Sequence, residues 1–322
     1  MLLAGDIGGT KTLLGLFDPS LPRPKAITTR TYQTNKFSSF LHLLDEFKQD
    51  VAWMETTIEA IVFGVAGPVL DQKTKLTNIP WNISGVEISK YYNLERVRLI
   101  NDLEAIAHSI EVLDQTELFI LQAGKKDNSG NAVIIAAGTG LGEVLLHRVN
   151  GKLTPIPSEG GHADFAPRTN REKEFVRTFQ KRYGRVTIEQ VLSGRGLINL
   201  YHFTHAKSPC DAIIAQELTP ALVSQAGLQA NCSACAETLE LFVSAYGSET
   251  GNLALRGVAS SGVFIGGGIA PKILQPLSKS SFMEAFRDKP PMTKLLSQFP
   301  VKVILNEKAG LVGAAVFANV LW

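Results

Sequence analysis

The sequence predicts an α/β fold of two domains, and three observations carry that reading. Strand-like and helix-like periodicities alternate along the chain. The 322 residues suffice for about two domains of ordinary size, each burying its own core, and two domains imply a cleft. One local design also occurs twice: apolar strand, glycine and threonine turn, apolar strand. It appears first in LLAGDIGGTKTLLGLFD (2–18) and again in AVIIAAGTGLGEVLLHRV (132–149).

The first strand covers residues 2–5. Beyond the turn, Thr12, Leu14 and Leu16 alternate with Lys11, Leu13 and Gly15, and this period of two predicts a second strand rather than a helix. A Walker loop and a Rossmann turn both lead into a helix, and neither of their glycine strings occurs here. SSFLHLLDEFKQDVAWMET predicts an amphipathic helix, TIEAIVFGVAG a strand, VRLI a short buried strand and LEAIAHSIEVL a helix. The second strand–turn–strand unit closes on the hairpin signal Asn150-Gly151. Residues 172–258 read as mostly helical, GVFIGGGIA as a strand and glycine turn, VKVIL as a strand, and AGLVGAAVFANVLW as a buried terminal helix. The domains expected are a small one, 1–110, joined by the C-terminal helix 303–322, and a large one, 111–302.

Composition excludes several classes. Lys plus Arg is 32 and Asp plus Glu is 30, a net charge of +2 with no long block of one sign, so neither nucleic acid nor an anionic membrane is indicated as a partner. No apolar run reaches the roughly 18 residues of a membrane span. With a strand starting at Leu2 no leader peptide is expected, which points to the cytoplasm. Three cysteines make no disulfide framework. Cys232 and Cys235 form a C-x-x-C, to which His202, His205 and Cys210 could add zinc ligands, but no second C-x-x-C fixes a geometry. The surrounding NCSACAETLELFVSAYG reads as one turn of a long buried helix, so the thiols are expected to be small core residues.

Several residues ask for more than a structural role. Glycine turns expose backbone N–H groups, and such nests bind phosphate oxygens, with the Thr10 and Thr139 hydroxyls as added donors. Asp6 could hold Mg2+ directly or through its water, and Lys11 could offset phosphate charge; a plain hairpin is the competing reading of either loop. In VRLINDLEAIAH, Asn101 with Glu104 makes a capping-box pattern, and local pattern favours capping over the alternative that Asp102 is a general base. In PIPSEGGHADFAP, Glu159, His162 and Asp164 surround a glycine pair: either a solvated turn, or a reader of neighbouring hydroxyls. Spacing alone leaves Glu189, after a Thr187 cap, as an exposed helical residue.

In order, GDIGGTKT, GVAGPV, LTNIPW, INDLEAIAH, AAGTGLG, EGGHADFAP, VLSGRGL, GNLAL and GVFIGGGIAP resemble the bacterial-type glucokinases, members of the superfamily of sugar kinases, actin and the heat-shock cognate ATPases. The resemblance runs from residue 5 to about 271. It implies two ribonuclease H-like (actin-like ATPase) domains around a cleft. It also implies transfer of the γ-phosphate of ATP to the 6-hydroxyl of glucose, with Mg2+ as cofactor and with glucose, ATP and a second copy of the chain as partners. By the resemblance, Gly5, Asp6, Ile7, Gly8, Gly9, Thr10 and Lys11 would meet the ATP phosphates, with Gly138, Thr139 and Gly140 opposite and Gly267 and Gly268 near the adenosine. Asp102 would be the base, and Asn78, Asn101, Glu159, His162 and Glu189 would hold the other hydroxyls, against what local pattern favours at Asp102 and Glu189. Many members carry Asn in place of Lys11. The related ROK family carries a cysteine-rich zinc motif after its E-x-G-H; here no cysteine follows EGGHADF until Cys210, so that site is not expected. A kinase for another hexose, a sugar sensor without turnover, and an ATPase independent of sugar are the rival readings. No space for a helix-turn-helix precedes the first strand, which weighs against the sensor.

Overall fold

The computed structural model describes residues 1–51, 57–76, 79–205, 210, 213, 217–229 and 232–321. Backbone contacts divide the chain into two units, residues 1–115 with 306–322, and residues 116–305. Among the described residues no helix is long and apolar enough to cross a membrane.

In the first unit, β1 (Leu2–Ile7), β2 (Lys11–Asp18), β3 (Lys25–Gln33), β4 (Ala60–Val65) and, after a two-stranded ribbon of β5 (Lys73–Lys75) and β6 (Asn82–Ser84), β7 (Val97–Asn101) carry the framework. The main sheet has the order β3-β2-β1-β4-β7. β1 to β3 form an antiparallel meander, and β4 and β7 run parallel to β1. Two helices follow predicted segments, α1 (Phe40–Asp50), capped by Ser39, and α3 (Asp102–Ser109), while α2 (Gly85–Tyr92), capped by Ser84, is not among the expected elements.

Alternation along β1 divides its side chains between two cores. Leu3 and Ile7 pack with Phe40, Leu44 and Phe47 of α1. Leu2 and Ala4 pack with Ala105 of α3 and with Leu311, Ala314 and Ala315 of a terminal helix. That helix spans Ala309–Asn319, shorter than 303–322, because Val301–Ile304 pair as a strand of the other unit. It is built for close approach. A Cβ on Gly313 would overlap the Ala105 carbonyl oxygen, so a small residue there lets the helix lie directly on α3.

The second unit contains β8 (Leu118–Gln122), β9 (Ala132–Ala137), β10 (Leu141–Val149), β11 (Lys152–Ser158), β12 (Gly262–Gly266) and β13 (Val301–Ile304). Their order is β11-β10-β9-β12-β13-β8. Apart from the added β8, this repeats the first sheet: an antiparallel meander, then two strands parallel to its first member. The Asn150-Gly151 turn has φ of 49° and 79°, the positive pair a type I′ hairpin turn needs. Helices α4 (Asn170–Tyr183) and α5 (Gly194–Thr204), with helices Pro220–Gln229 and Ser233–Gly257, fill the helical region. Two local expectations change. Glu189 lies in a turn, half-buried, rather than on an exposed helix. Cys232 is the N-cap of helix Ser233–Gly257 and Cys235 sits in its first turn, so the C-x-x-C opens the helix instead of lying within it.

Helix Ser233–Gly257 crosses the core with Tyr246 fully buried. The Tyr246 hydroxyl accepts the Ala137 N–H at 3.3 Å, at the end of β9. Charge is buried here too. Glu143 on β10 is 1% exposed, 3.7 Å from Arg256 Nη1, and Arg256 makes its shorter contact, 2.8 Å, with Glu249. Burial first, then repulsion from Glu249, pushes the Glu143 carboxyl up from 4.5 to about 7, against the pull of Arg256.

Two predictions come from this packing. Gly313→Ala should destabilise the protein by about 1–3 kcal/mol through overpacking against α3; an unchanged thermal midpoint would show that the helix can shift at no cost. Because the folded chain holds the Glu143 proton more tightly than the unfolded chain, its contribution is fully present below about pH 4.5 and is lost as pH rises through about 7. Glu143→Gln should therefore flatten the fall in thermal midpoint between pH 5 and pH 8, and at pH 8 stabilise by roughly 1–3 kcal/mol. Equal slopes for both proteins would place the titration elsewhere.

Candidate active site

Asp6 belongs to the face of β1 that carries Leu2 and Ala4, and so lies beneath the terminal helix. A Cβ on Gly310, in the first turn of that helix, would come within 2.7 Å of Asp6 Oδ2. Only glycine allows the carboxylate to rest against the helix start, where the helix dipole favours negative charge. Burial, and then the charge of Asp102, push Asp6 up from 3.8 to about 7, while Lys11 pulls it down. Two neighbouring carboxylates, one of them raised by the charge of the other, beside a phosphate-type loop are a donor set suited to a hard cation such as Mg2+, which takes carboxylate and water oxygens.

The turn after β1 is held by backbone. Gly8 N–H donates to Lys11 O at 3.0 Å, and the Thr34 hydroxyl, from the turn just after β3, donates to Gly8 O at 2.8 Å. Thr34 is itself buried beside Thr12, 3.0 Å away. Gly5 and Ile7 are buried in the strand, whereas Gly8 and Gly9 are half-buried and Thr10 and Lys11 exposed. The first two therefore position the loop, and the other four reach its surface.

Asn101 and Asp102 stand where β7 passes into α3. Asn101 Oδ1 accepts the Leu103 N–H at 3.0 Å, as an N-cap does, and its Nδ2 donates to Gly67 O at 3.1 Å. Glu104 accepts from the Asn101 backbone, while burial raises its pKa. The capping pattern is thus real, and it does not compete with chemistry at Asp102. Capping by Asn101 makes Asp102 the first helical residue and places it beside Asp6. Asn78 lies outside the described residues.

In the second unit the matching loop is Gly138, Thr139 and Gly140. Gly138 N–H donates to Gly140 O at 2.8 Å, and Gly138 O accepts the Gly194 N–H at 2.8 Å from the start of α5. Glu189 Oε2 accepts the Leu141 N–H at 2.9 Å, and a Cβ on Gly140 would stand 2.5 Å from the same oxygen. Thr139 is exposed. Gly267 follows β12 in the left-handed region, φ 82°, next to exposed Gly268, and Ile269 N–H donates to Ala137 O at 3.2 Å. The β12 turn is thereby tied to the end of β9.

The Glu159 to Asp164 stretch is zipped to residues 186–189 by backbone bonds. Phe165 N–H reaches Val186 O, Ile188 N–H reaches Ala163 O, and Glu189 N–H reaches Gly161 O at 2.8 Å. This pairing brings Glu159, His162 and Glu189 to one place. Glu159 and His162 are exposed, 79% and 63%, with His162 Nε2 3.9 Å from Glu159 Oε2. Asp164 is taken by Arg185, 2.6 Å away. Thr34 and Gly310 escaped sequence reading because each acts through a contact with a segment distant in the chain.

The first unit thus presents a phosphate-type loop with two interacting carboxylates, and the second presents a like loop braced by Glu189. A glucokinase family model matches residues 3–320. The glucokinase of Synechocystis sp. is 38% identical over 98% of this chain and 97% of its own. The crystal structure of a glucokinase from an Antarctic psychrotroph superposes with a TM-score of 0.86 at 29% identity, covering 98% of both chains. A ROK family glucokinase from Streptomyces griseus, solved with glucose and AMPPNP, shares the fold at a TM-score of 0.64 and 21% identity, covering 98% of both chains. With one family accounting for nearly every residue, and for strands of the same order repeated in two ribonuclease H-like, actin-like units, the chain belongs to the glucokinase family.

Proposed function

We propose that this ATP-dependent sugar kinase transfers the γ-phosphate of ATP to the 6-hydroxyl of glucose, with Asp102 as the general base. The observation that carries the assignment is the pairing of Asp102 with Asp6, directly beside the loop of Gly8 to Lys11. A carboxylate placed at that loop can accept a proton, and the attacking hydroxyl supplies one. The proton passes to an Asp102 carboxylate oxygen as the hydroxyl oxygen attacks the γ-phosphorus, and the bond from that phosphorus to the β–γ bridging oxygen breaks, ADP leaving with the electron pair.

The chain's other residues position and compensate charge, which is most of what phosphoryl transfer asks of a protein. By the family resemblance, the backbone N–H groups of Gly9 and Thr10 in the first unit, and of Thr139 and Gly140 in the second, would meet phosphate oxygens, and the Lys11 ammonium would offset their charge. Mg2+ arriving with the nucleotide would be held by Asp6 and would neutralise phosphate charge. Asn101 keeps one Nδ2 hydrogen and an Oδ1 lone pair beyond its two protein bonds, and Glu189 keeps Oε1 after giving Oε2 to Leu141. These, with Glu159, His162 and Asn78, read the remaining sugar hydroxyls. A sugar lacking one of those hydroxyls leaves its partner unpaired, at about 1–3 kcal/mol.

ADP release measured with no sugar, then with glucose, mannose, fructose and N-acetylglucosamine separately, tests the reading. ADP and glucose 6-phosphate should appear together, fastest with glucose. Equal ADP release without sugar would identify an ATPase instead, and faster turnover of another sugar would reassign the hydroxyl-reading residues. Asp102→Asn should lower kcat by about 10² or more while glucose affinity stays near wild type. Near-normal turnover in that variant rules out Asp102 as the base.

A further inference from the structure

We propose that His205, Cys210, Cys232 and Cys235 form a structural zinc site in the second unit. None of the four takes part in the phosphoryl-transfer site, and His162, beside which the ROK zinc motif would be expected, is not among them. Their spacing in the chain, H-x4-C, then C-x2-C after a long interval, fixes no geometry by itself. Folding does. His205 is the C-cap of α5, Cys232 is the N-cap of helix Ser233–Gly257 and Cys235 sits in its first turn. One ring nitrogen and the three sulfurs all lie within 4.8 Å of one another.

The distances suit a tetrahedron. Zn–S bonds of about 2.3 Å and a Zn–N bond of about 2.0–2.1 Å set S···N edges near 3.6 Å and S···S edges near 3.8 Å. His205 Nε2 lies 3.4 Å from Cys232 Sγ and 3.6 Å from Cys235 Sγ.

The surroundings orient the ligands as metal sites do. His205 Nδ1 is 2.9 Å from both the Tyr201 carbonyl oxygen and the Thr204 hydroxyl; the carbonyl can only accept, which places the proton on Nδ1 and turns the Nε2 lone pair to the sulfurs. The Tyr201 ring stacks on the imidazole, 3.9 Å between centroids at 21°, and its hydroxyl accepts the Cys210 N–H at 3.1 Å. One residue thus holds two of the four ligands. Buried thiols serving only as core would call for none of this. A redox pair would need Cys232 and Cys235 but neither His205 nor Cys210.

Four protein ligands complete the coordination shell and leave no position for water or substrate, so the site is structural. On binding, Zn2+ takes the thiolates and the thiol protons pass to solvent. The metal then joins the end of α5 to the start of helix Ser233–Gly257. Both elements also hold the Gly138 loop: α5 through Gly194 N–H to Gly138 O at 2.8 Å, and the long helix through the Tyr246 hydroxyl on Ala137 N–H. Zinc therefore braces the two struts behind that loop.

The test uses the full-length reduced protein, loaded with Zn2+, passed through gel filtration and assayed for bound metal, with anaerobic Co2+ titration as a second probe. About one Zn2+ per chain should remain, and Co2+ should give thiolate charge-transfer bands with the intense visible bands of tetrahedral cobalt. Cys235→Ser and His205→Ala should each bind at least ~10-fold more weakly, while His202→Ala, altering the neighbouring exposed histidine, should bind as wild type does. If a cysteine variant fails to fold, the wild-type stoichiometry and cobalt spectrum decide alone. Wild-type protein that retains no Zn2+ and shows no thiolate–cobalt band would overturn the proposal. So would undiminished binding by both ligand variants, or a Cys232–Cys235 disulfide that persists in the reduced preparation and excludes metal.

Discussion

Asp6 places a carboxylate on a strand face that otherwise buries Leu2 and Ala4, and much of the first unit is arranged around that cost. An ionised group removed from water needs a compensating field or a proton. The start of the terminal helix supplies a favourable dipole, but only by coming close enough that residue 310 must be glycine. The same helix then lies so tightly on α3 that Gly313, Ala314 and Ala315 are its contact residues. α3 in turn delivers Asp102 to Asp6, which adds to the electrostatic burden instead of relieving it. Two mutually repelling acids at the mouth of a phosphate-type loop are costly for stability and useful for a reaction that moves a proton and assembles cationic charge.

The second unit meets a similar problem with different parts. Its loop between β9 and β10 has no counterpart of Asp6. It is steadied instead by Glu189 on the Leu141 N–H, by Gly194 on Gly138 O, and by the buried hydroxyl of Tyr246 on the Ala137 N–H. The fixing groups are mostly backbone hydrogen bonds, with the Glu189 carboxylate as the one charged brace beside the loop. The buried charge lies on β10 and the long helix, where Glu143 and Glu249 share Arg256. Repeated strand order therefore does not mean repeated electrostatics. One loop sits beside interacting acids, and the other is a rigid cradle.

Much of this was legible in the chain. The alternation after Gly9 identified a strand–turn–strand design and excluded the helix-forming phosphate loops, because a period of two cannot be met by a helix. Asn150-Gly151 announced its hairpin, since those residues accept positive φ at low cost. The pattern around Asn101 correctly indicated an N-cap. Glu189 was misread because one polar residue in a short segment carries no periodicity, and its place was decided by the backbone pairing of residues 161–165 with residues 186–189. The C-x-x-C was misread for a related reason: the apolar residues after it mark a helix, but nothing nearby says where that helix begins.

By itself, then, the sequence determined the α/β class, the two strand–loop–strand units, the helix caps and, through its motifs, a resemblance to the glucokinases. These follow from local rules, periodicity, turn chemistry and capping, that act within a few residues. Only the tertiary structure decided that Gly310 meets Asp6, that Glu189 braces Gly140, and that His205 and Cys210 join Cys232 and Cys235. Each of these is a contact between segments far apart in sequence, selected by which faces can be buried together, and no local pattern encodes a distance of that kind.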